Sequence, residues 1–195
     1  MIRLELPIVS GESLGGWVTA WAAAHHPARV RGAILNTPGN IAARPEVMTT
    51  LRESSVKAGV DAAARPESVR ARVEWLFHDT SLVTDEIVDV RRTIYTQPGY
   101  VRTMENTVAL QDPEVRRPYH WDPSWLGRIQ CPTLVMWTSH DPTGTIDEGK
   151  VLGDWIPGAQ LTVIDDAGHW PQWEKVDEFD QLHVDFLARL RAEGR

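Results

Sequence analysis

The chain has 195 residues and one cysteine, Cys131, with 42% hydrophobic residues, 24% charged residues and a net charge of −7. These are ordinary globular values, which exclude disorder, collagen and coiled coil. An acidic balance without a basic run excludes a nucleic-acid groove, and a lone cysteine excludes a disulfide framework or a cysteine-based zinc site. No apolar run nears the roughly 18 residues of a membrane span. The opening stretch lacks the layout of a signal peptide. The expectation is a cytoplasmic protein whose partner is a small molecule, neither nucleic acid nor membrane. Homo-oligomerisation stays open.

Residues Leu4 to Ser10 form an apolar run of strand length. It stops at Gly11-Glu12-Ser13-Leu14-Gly15-Gly16. Helical sequence follows from Trp17 to His26, closed by Pro27. A second strand is expected from Val30 to Leu35, then turn residues from Asn36 to Asn40. Strand, turn, helix and strand make a βαβ unit, which implies a parallel sheet. From 41 to 122 the texture turns helical. Pro45, Pro66 and Pro98 each stand where a helix can begin. Val69, Val73, Leu76, Phe77, Ile87, Val90 and Ile94 recur at helical spacing, predicting about four short helices. Further strands are expected from Cys131 to Trp137 and from Gln160 to Ile164, with a helix from Asp147 to Ile156 between them. The last stretch is an amphipathic helix carrying Val176, Phe179, Leu182, Phe186, Leu187 and Leu190. The fold class is α/β: a parallel sheet from 1–40 and 123–195, interrupted by a helical insertion at 41–122.

Sites of open α/β sheets lie at the carboxyl ends of strands. Ser13, Asp141 and His169 all stand there. Gly11-Glu12-Ser13-Leu14-Gly15 matches G-x-S-x-G, a strand-to-helix turn that exposes a serine hydroxyl. Its sharpness predicts glycines at both flanks. The amide of Leu14, at the head of the helix, is placed to meet a developing oxyanion. A serine needs a base, and His169 alone of the seven histidines follows a strand end and turn residues. The base needs an acid to fix its tautomer. Asp141 follows the preceding strand, and Asp165 and Asp166 are its rivals. An Asx turn before Pro142 is the plainer role for Asp141. Ser13, Asp141, His169 is the α/β-hydrolase chain order.

Gly168-His169-Trp170-Pro171-Gln172-Trp173-Glu174, followed by Asp177-Glu178-Phe179, resembles the histidine motif of the meta-cleavage product hydrolases. These α/β-hydrolases cleave a carbon–carbon bond in 2-hydroxy-6-oxohexa-2,4-dienoates formed by ring-opening dioxygenases. His140-Asp141-Pro142-Thr143 with Asp147-Glu148-Gly149 resembles some members at the acid. Leu82 to Arg91, with Pro98 after it, resembles their lid helix, so the insertion at 41–122 is expected to be a lid. The resemblance implies that Arg91 binds the carboxylate end of the dienoate and that Trp170 packs beside its dienol. It implies no metal and no organic cofactor. A helical wheel supports a special place for Arg91: at about 100° per residue it falls amid Ile87, Val88, Val90, Ile94 and Tyr95. The plainer reading is an ion pair with Glu86 or Glu105. For Trp173 the plainer role, an anchor for the last helix, is preferred. Glu12 departs from the family, in which many members carry Asn. That departure leaves a carboxylesterase or lactonase, or an inactive remnant, as alternatives.

The resemblance also implies strands 5–8 of an eight-stranded sheet, because the nucleophile is reached at residue 13. Strands 1–4 would occupy on the order of eighty to a hundred residues. The expectation is therefore an exposed edge on the first strand, a missing second oxyanion donor, and a chain that alone is poorly soluble or feebly active.

Overall fold

Four short parallel strands carry one of the two units into which the chain divides. A computed structural model describes residues 6–193. The first unit is the chain up to Ile41 together with Trp121 onward, and the second is Ala42–His120.

In chain order, β1 (Ile8–Glu12), α1 (Leu14–His25) and β2 (Gly32–Asn36) open the first unit. The second unit holds α2 (Pro45–Asp61), α3 (Pro66–Glu74), α4 (Asp85–Tyr95), α5 (Tyr100–Thr107) and α6 (Pro113–Arg116). The chain then returns through α7 (Pro123–Leu126), β3 (Thr133–Thr138), α8 (Ile146–Trp155), β4 (Gln160–Ile164), α9 (Pro171–Glu174) and α10 (Val176–Ala192). The strands lie in the order β1-β2-β3-β4, every pair parallel.

The period-2 alternation of a strand sorts the core into two layers. On one face Ala33, Leu35, Val135 and Trp137 meet α1, α7 and α8 through Trp17, Ala20, Trp125, Leu126 and Leu152. On the other, Ile34, Leu134 and Met136 meet Phe186 and Leu190 of α10. Because both faces are covered, β2 and β3 are buried throughout and read as continuous apolar runs. A stack of indoles joins α1 to the segment around α7. Trp17 lies 5.3 Å from Trp121, Trp121 lies 5.6 Å from Trp125, and Trp125 lies 5.3 Å from Trp21.

The expected first strand is shifted. It runs through Glu12, not to Ser10, and Leu4 and Glu5 of the expected run lie outside the described residues. The first helix likewise starts at Leu14, three residues before Trp17. Among the described residues β1 pairs with β2 alone and is half-buried. The C-terminal helix also differs. Phe179, Leu182, Phe186 and Leu190 pack on the sheet, whereas Val176 and Leu187 are 47% and 42% exposed.

In the second unit, Pro45 and Pro66 do open α2 and α3. Pro98 instead lies in a turn, and Gly99 at φ 81° caps α5. α2 spans 17 residues, longer than the short helices expected, and runs on through Gly59. Its trailing carbonyls are met by Arg92 of α4, whose guanidinium donates to Ala62 O at 3.0 Å and Ala63 O at 3.3 Å. Arg70 of α3 ion-pairs with Asp85 and donates to Val83 O, fixing the start of α4. Tyr95 and Tyr100 stack at 4.6 Å, and burial pushes the Tyr100 phenol well above its ordinary range. Among the described residues no helix is long and apolar enough to cross a membrane.

Two leucines of α10 separate packing from propensity. Leu190→Ala, at a fully buried site, is expected to cost about 2–5 kcal/mol in equilibrium denaturation. Leu187→Ala, at an exposed site, is expected to stay within about 1 kcal/mol. Equal losses at the two positions would reject this account of the helix's buried face.

Candidate active site

β1 ends at Glu12 and α1 begins at Leu14, so one residue must reverse the chain. Ser13 does so at φ 54° and ψ −120°. A side chain at that backbone geometry costs roughly 1–3 kcal/mol and persists only where its surroundings insist on it. Here the insistence comes from both sides of the turn. The Ser13 amide donates to Asn36 O at 2.9 Å, continuing the β1–β2 ladder. The helix, meanwhile, sits so close that a Cβ on Gly11 would lie 2.1 Å from Gly15 O. A Cβ on Gly16 would lie 2.9 Å from the Cβ of Pro38. Gly15 itself has open space where its side chain would be. The packing thus requires Gly11 and Gly16, not the expected Gly11 and Gly15; Gly15 contributes its carbonyl.

Asp141 and His169 leave the ends of β3 and β4 and meet. Nδ1 of His169 lies 3.0 Å from Asp141 Oδ1 and 3.1 Å from Oδ2. The Asp141 side chain is fully buried and the His169 side chain is 3% exposed. Asp141 is held by Thr143, whose amide and hydroxyl both donate to Oδ1 at 2.8 Å. The Asx turn and the histidine contact therefore coexist. With Oδ1 taking the threonine proton, Nδ1 is the donor toward the carboxylate, which leaves Nε2 as the basic nitrogen. Asp165 and Asp166 are both exposed, as expected of turn residues rather than of a buried partner.

The histidine loop is locked by its backbone. Thr37 Oγ1 donates to His169 O at 3.2 Å, Thr138 Oγ1 donates to Gly168 O at 2.7 Å, and Gly168 N donates to Glu174 Oε1 at 2.7 Å. The tying roles of Thr37, Thr138, Glu174 and Thr143 have no clear sequence signal beyond the Asx-turn pattern of Asp-Pro-Thr.

At Nε2 the neighbour is Glu12, whose Oε1 approaches to 3.1 Å. Among the described residues the Ser13 hydroxyl makes no hydrogen bond to His169. In the sequence Glu12 stands out only as a departure from a family pattern.

Leu14 is the first residue of α1, so its amide has no acceptor within the helix. Trp170 is buried and its carbonyl accepts from the amides of Trp173 and Glu174, starting α9. Trp173 is 52% exposed, so only about half of it is buried where an anchor for the last helix is expected. Arg91, in the second unit, is half-buried, with its guanidinium 6.0 Å from the centre of the Tyr95 ring. Ile87, Val88 and Tyr95 around it are buried, while Val90 and Ile94 are exposed, so the apolar face is narrower than the wheel suggests. Burial raises the Cys131 thiol above its ordinary range, which disfavours its thiolate form.

Gly11→Ala is expected to lose at least ~2 kcal/mol, because the new carbon meets backbone that cannot yield. Gly15→Ala should be neutral or stabilising by about 0.5–1 kcal/mol, as for glycine replacement inside a helix. Thermal melts of the two variants decide the matter, and a Gly11→Ala protein as stable as the parent would contradict the close approach.

Residues 2–176 match the model of the alpha/beta hydrolase fold family. A 2-hydroxy-6-oxo-6-phenylhexa-2,4-dienoate hydrolase of Comamonas testosteroni is 32% identical over 191 residues, 96% of this chain and 65% of that protein. A 2-hydroxy-6-oxononadienedioate/2-hydroxy-6-oxononatrienedioate hydrolase of the same species is 30% identical over 192 residues, again 96% of this chain and 65% of its own length. Among solved structures, the meta-cleavage product hydrolase of Pseudomonas fluorescens IP01 superposes with a TM-score of 0.77 at 24% identity, over 96% of this chain and 66% of that one. The chain thus spans about two thirds of the length of these relatives, or slightly less.

Proposed function

The chain belongs to the α/β-hydrolase fold family, and from that premise we propose that it is a serine-dependent hydrolase cleaving a carbon–carbon bond in 2-hydroxy-6-oxohexa-2,4-dienoate-type products of aromatic ring opening. The observation that carries the chemistry is the strained Ser13 turn in the same unit as a buried His169–Asp141 pair. The substrate class rests on the relatives, two of which are hydrolases of 2-hydroxy-6-oxo-dienoates. The cytoplasm suits such a catabolic role.

In this reading His169 first moves a proton that converts the dienol to its keto form, creating an electron sink. The Ser13 hydroxyl, or a water it orients, then adds to the distal ketone as Nε2 takes the proton. The oxyanion falls to the amide of Leu14 at the positive end of α1. Collapse breaks the carbon–carbon bond, the electron pair passes into the conjugated enone to give a dienolate, and the proton on His169 quenches it. Along the serine route, water then hydrolyses the acyl-serine. Asp141 keeps the imidazole in the working tautomer. Arg91 grips the substrate carboxylate with paired N–H donors, and Trp170 packs beside the dienol.

Decay of the yellow dienolate absorbance measures the reaction. Ser13→Ala is expected to lower turnover about 10⁴-fold or more. A serine-directed fluorophosphonate should label Ser13 in the parent chain and not in the variant. Turnover within tenfold of the parent in Ser13→Ala would sink the proposal. Arg91→Ala should cost about 1.5–3 kcal/mol in dienoate kcat/KM, the range for charge-assisted hydrogen bonds, and leave a neutral nitrophenyl ester almost unaffected. Equal losses on both substrates would make the arginine structural.

One observation favours a second reading. Glu12 places a carboxylate 3.1 Å from Nε2, which disfavours an anionic dienolate beside the base and suits a neutral ester or lactone. Turnover of nitrophenyl esters with no bleaching of dienolate would select it.

A further inference from the structure

The imidazole of His169 stands between two carboxylates. Asp141 faces Nδ1 at 3.0 and 3.1 Å, and Glu12 faces Nε2 at 3.1 Å. Such a flanked ring is stabilised in its doubly protonated form, because a proton on each nitrogen then meets a negative charge. The two carboxylates are not equivalent. The Asp141 side chain is fully buried and pinned by Thr143. The Glu12 side chain is 33% exposed overall while its Oε1 is buried, so turning outward carries that oxygen from a buried position to solvent. Its approach to Nε2 lacks the alignment of a hydrogen bond, so the attraction is that of charge. Glu12 is also the last residue of β1, directly before the strained turn. Its backbone therefore has no freedom to carry the carboxylate away, and only its side-chain torsions can.

We propose that Glu12 is a positioning residue that holds His169 in a resting, protonated state, occupying Nε2 until its side chain withdraws and yields that nitrogen to Ser13. The inference rests on the serine–histidine reading above and adds a gate to it. No bond is made or broken in the gating step: the carboxylate turns outward, the imidazolium loses its stabilising neighbour, and the Nε2 proton leaves to solvent. The consequence has a definite sign. Glu12 raises the proton affinity of His169, so the basic form accumulates only at higher pH. Removing the charge lets the base appear at lower pH. Other ionisable groups on the surrounding elements of this unit include His140, Asp165, Asp166, Asp147 and Lys150, all exposed, Glu148 in the capping box of α8, and Glu174, which accepts the Gly168 amide. Neither they nor Asp141 change when Glu12 is replaced.

The test compares the parent chain with Glu12→Gln and Glu12→Asp, reading the rate of fluorophosphonate labelling of Ser13 from pH 5 to 9. Glu12→Gln is expected to move the acidic midpoint down by about one unit, the low end of the one-to-three-unit effect of a close opposite charge. Labelling below the parent's midpoint should then rise about tenfold. Glu12→Asp, with its shorter reach, should fall between the two. Independently, the imidazole carbon signals of His169, assigned with His169→Gln, should titrate at lower pH in Glu12→Gln. Coincident midpoints in parent and Glu12→Gln, by labelling or by NMR, would overturn the gate. Absence of Ser13 labelling in every protein would instead overturn the serine reading, and the NMR titration then decides the Glu12 contact by itself.

Discussion

The carbonyl of Gly15 stands where a side chain on residue 11 would need to be, and the candidate site depends on that closeness. Strand and helix can approach so tightly only if one residue makes the reversal, and that residue must accept a backbone geometry that side chains avoid. The ladder bond from the Ser13 amide to Asn36 and the burial of α1 hold it there. Because the turn has no slack, its neighbours are placed as firmly as the serine. Glu12 closes the strand, and Leu14 heads the helix with its amide open. One steric contact therefore places a hydroxyl, a carboxylate and an N–H donor.

The other half of the site is fixed by hydroxyl groups rather than by apolar packing. Thr37 follows β2, Thr138 ends β3 and Thr143 lies in the loop after it, and each ties Asp141 or the backbone of the histidine loop. Each such bond contributes roughly 1 kcal/mol net. Their greater effect is positional: they orient a ring between two carboxylates with little room to rotate. This is why the carboxyl ends of parallel strands make good sites. Loops leaving adjacent strands converge there, and the sheet fixes their starting points.

How much of this could be read from the chain differs element by element. β4 falls where five consecutive strand-forming residues put it, and Pro45 and Pro66 mark helix starts because a missing N–H costs nothing in a first turn. The end of β1 was misplaced since Gly11 and Glu12 are poor strand formers locally; the pairing with Leu35 and Asn36 overrides that preference. The flanking glycines could be seen as necessary, but which of them the packing requires depends on atoms of Pro38, remote in sequence. Trp173 and Leu187 are apolar yet exposed, a distinction periodicity cannot draw. Glu12 and His169 are far apart along the chain, and nothing local to either announces their contact. The acid–base pair was visible because chain order and strand ends constrain it; the second carboxylate obeys no such rule.

The indole stack has a consequence for how this architecture varies. Trp17 and Trp21 precede the second unit in the chain, and Trp121 and Trp125 follow it. Their packing ties α1, ahead of that unit, to the segment that directly follows it, within the unit that holds the sheet. Once such a closure is in place, the entropy of the enclosed segment grows only logarithmically with its length, about 0.6 kcal/mol for each doubling. Insertions and deletions within the second unit are therefore nearly free to the sheet. The second unit can then be lengthened, shortened or exchanged over generations while the histidine, its two carboxylates and the strained serine keep their places.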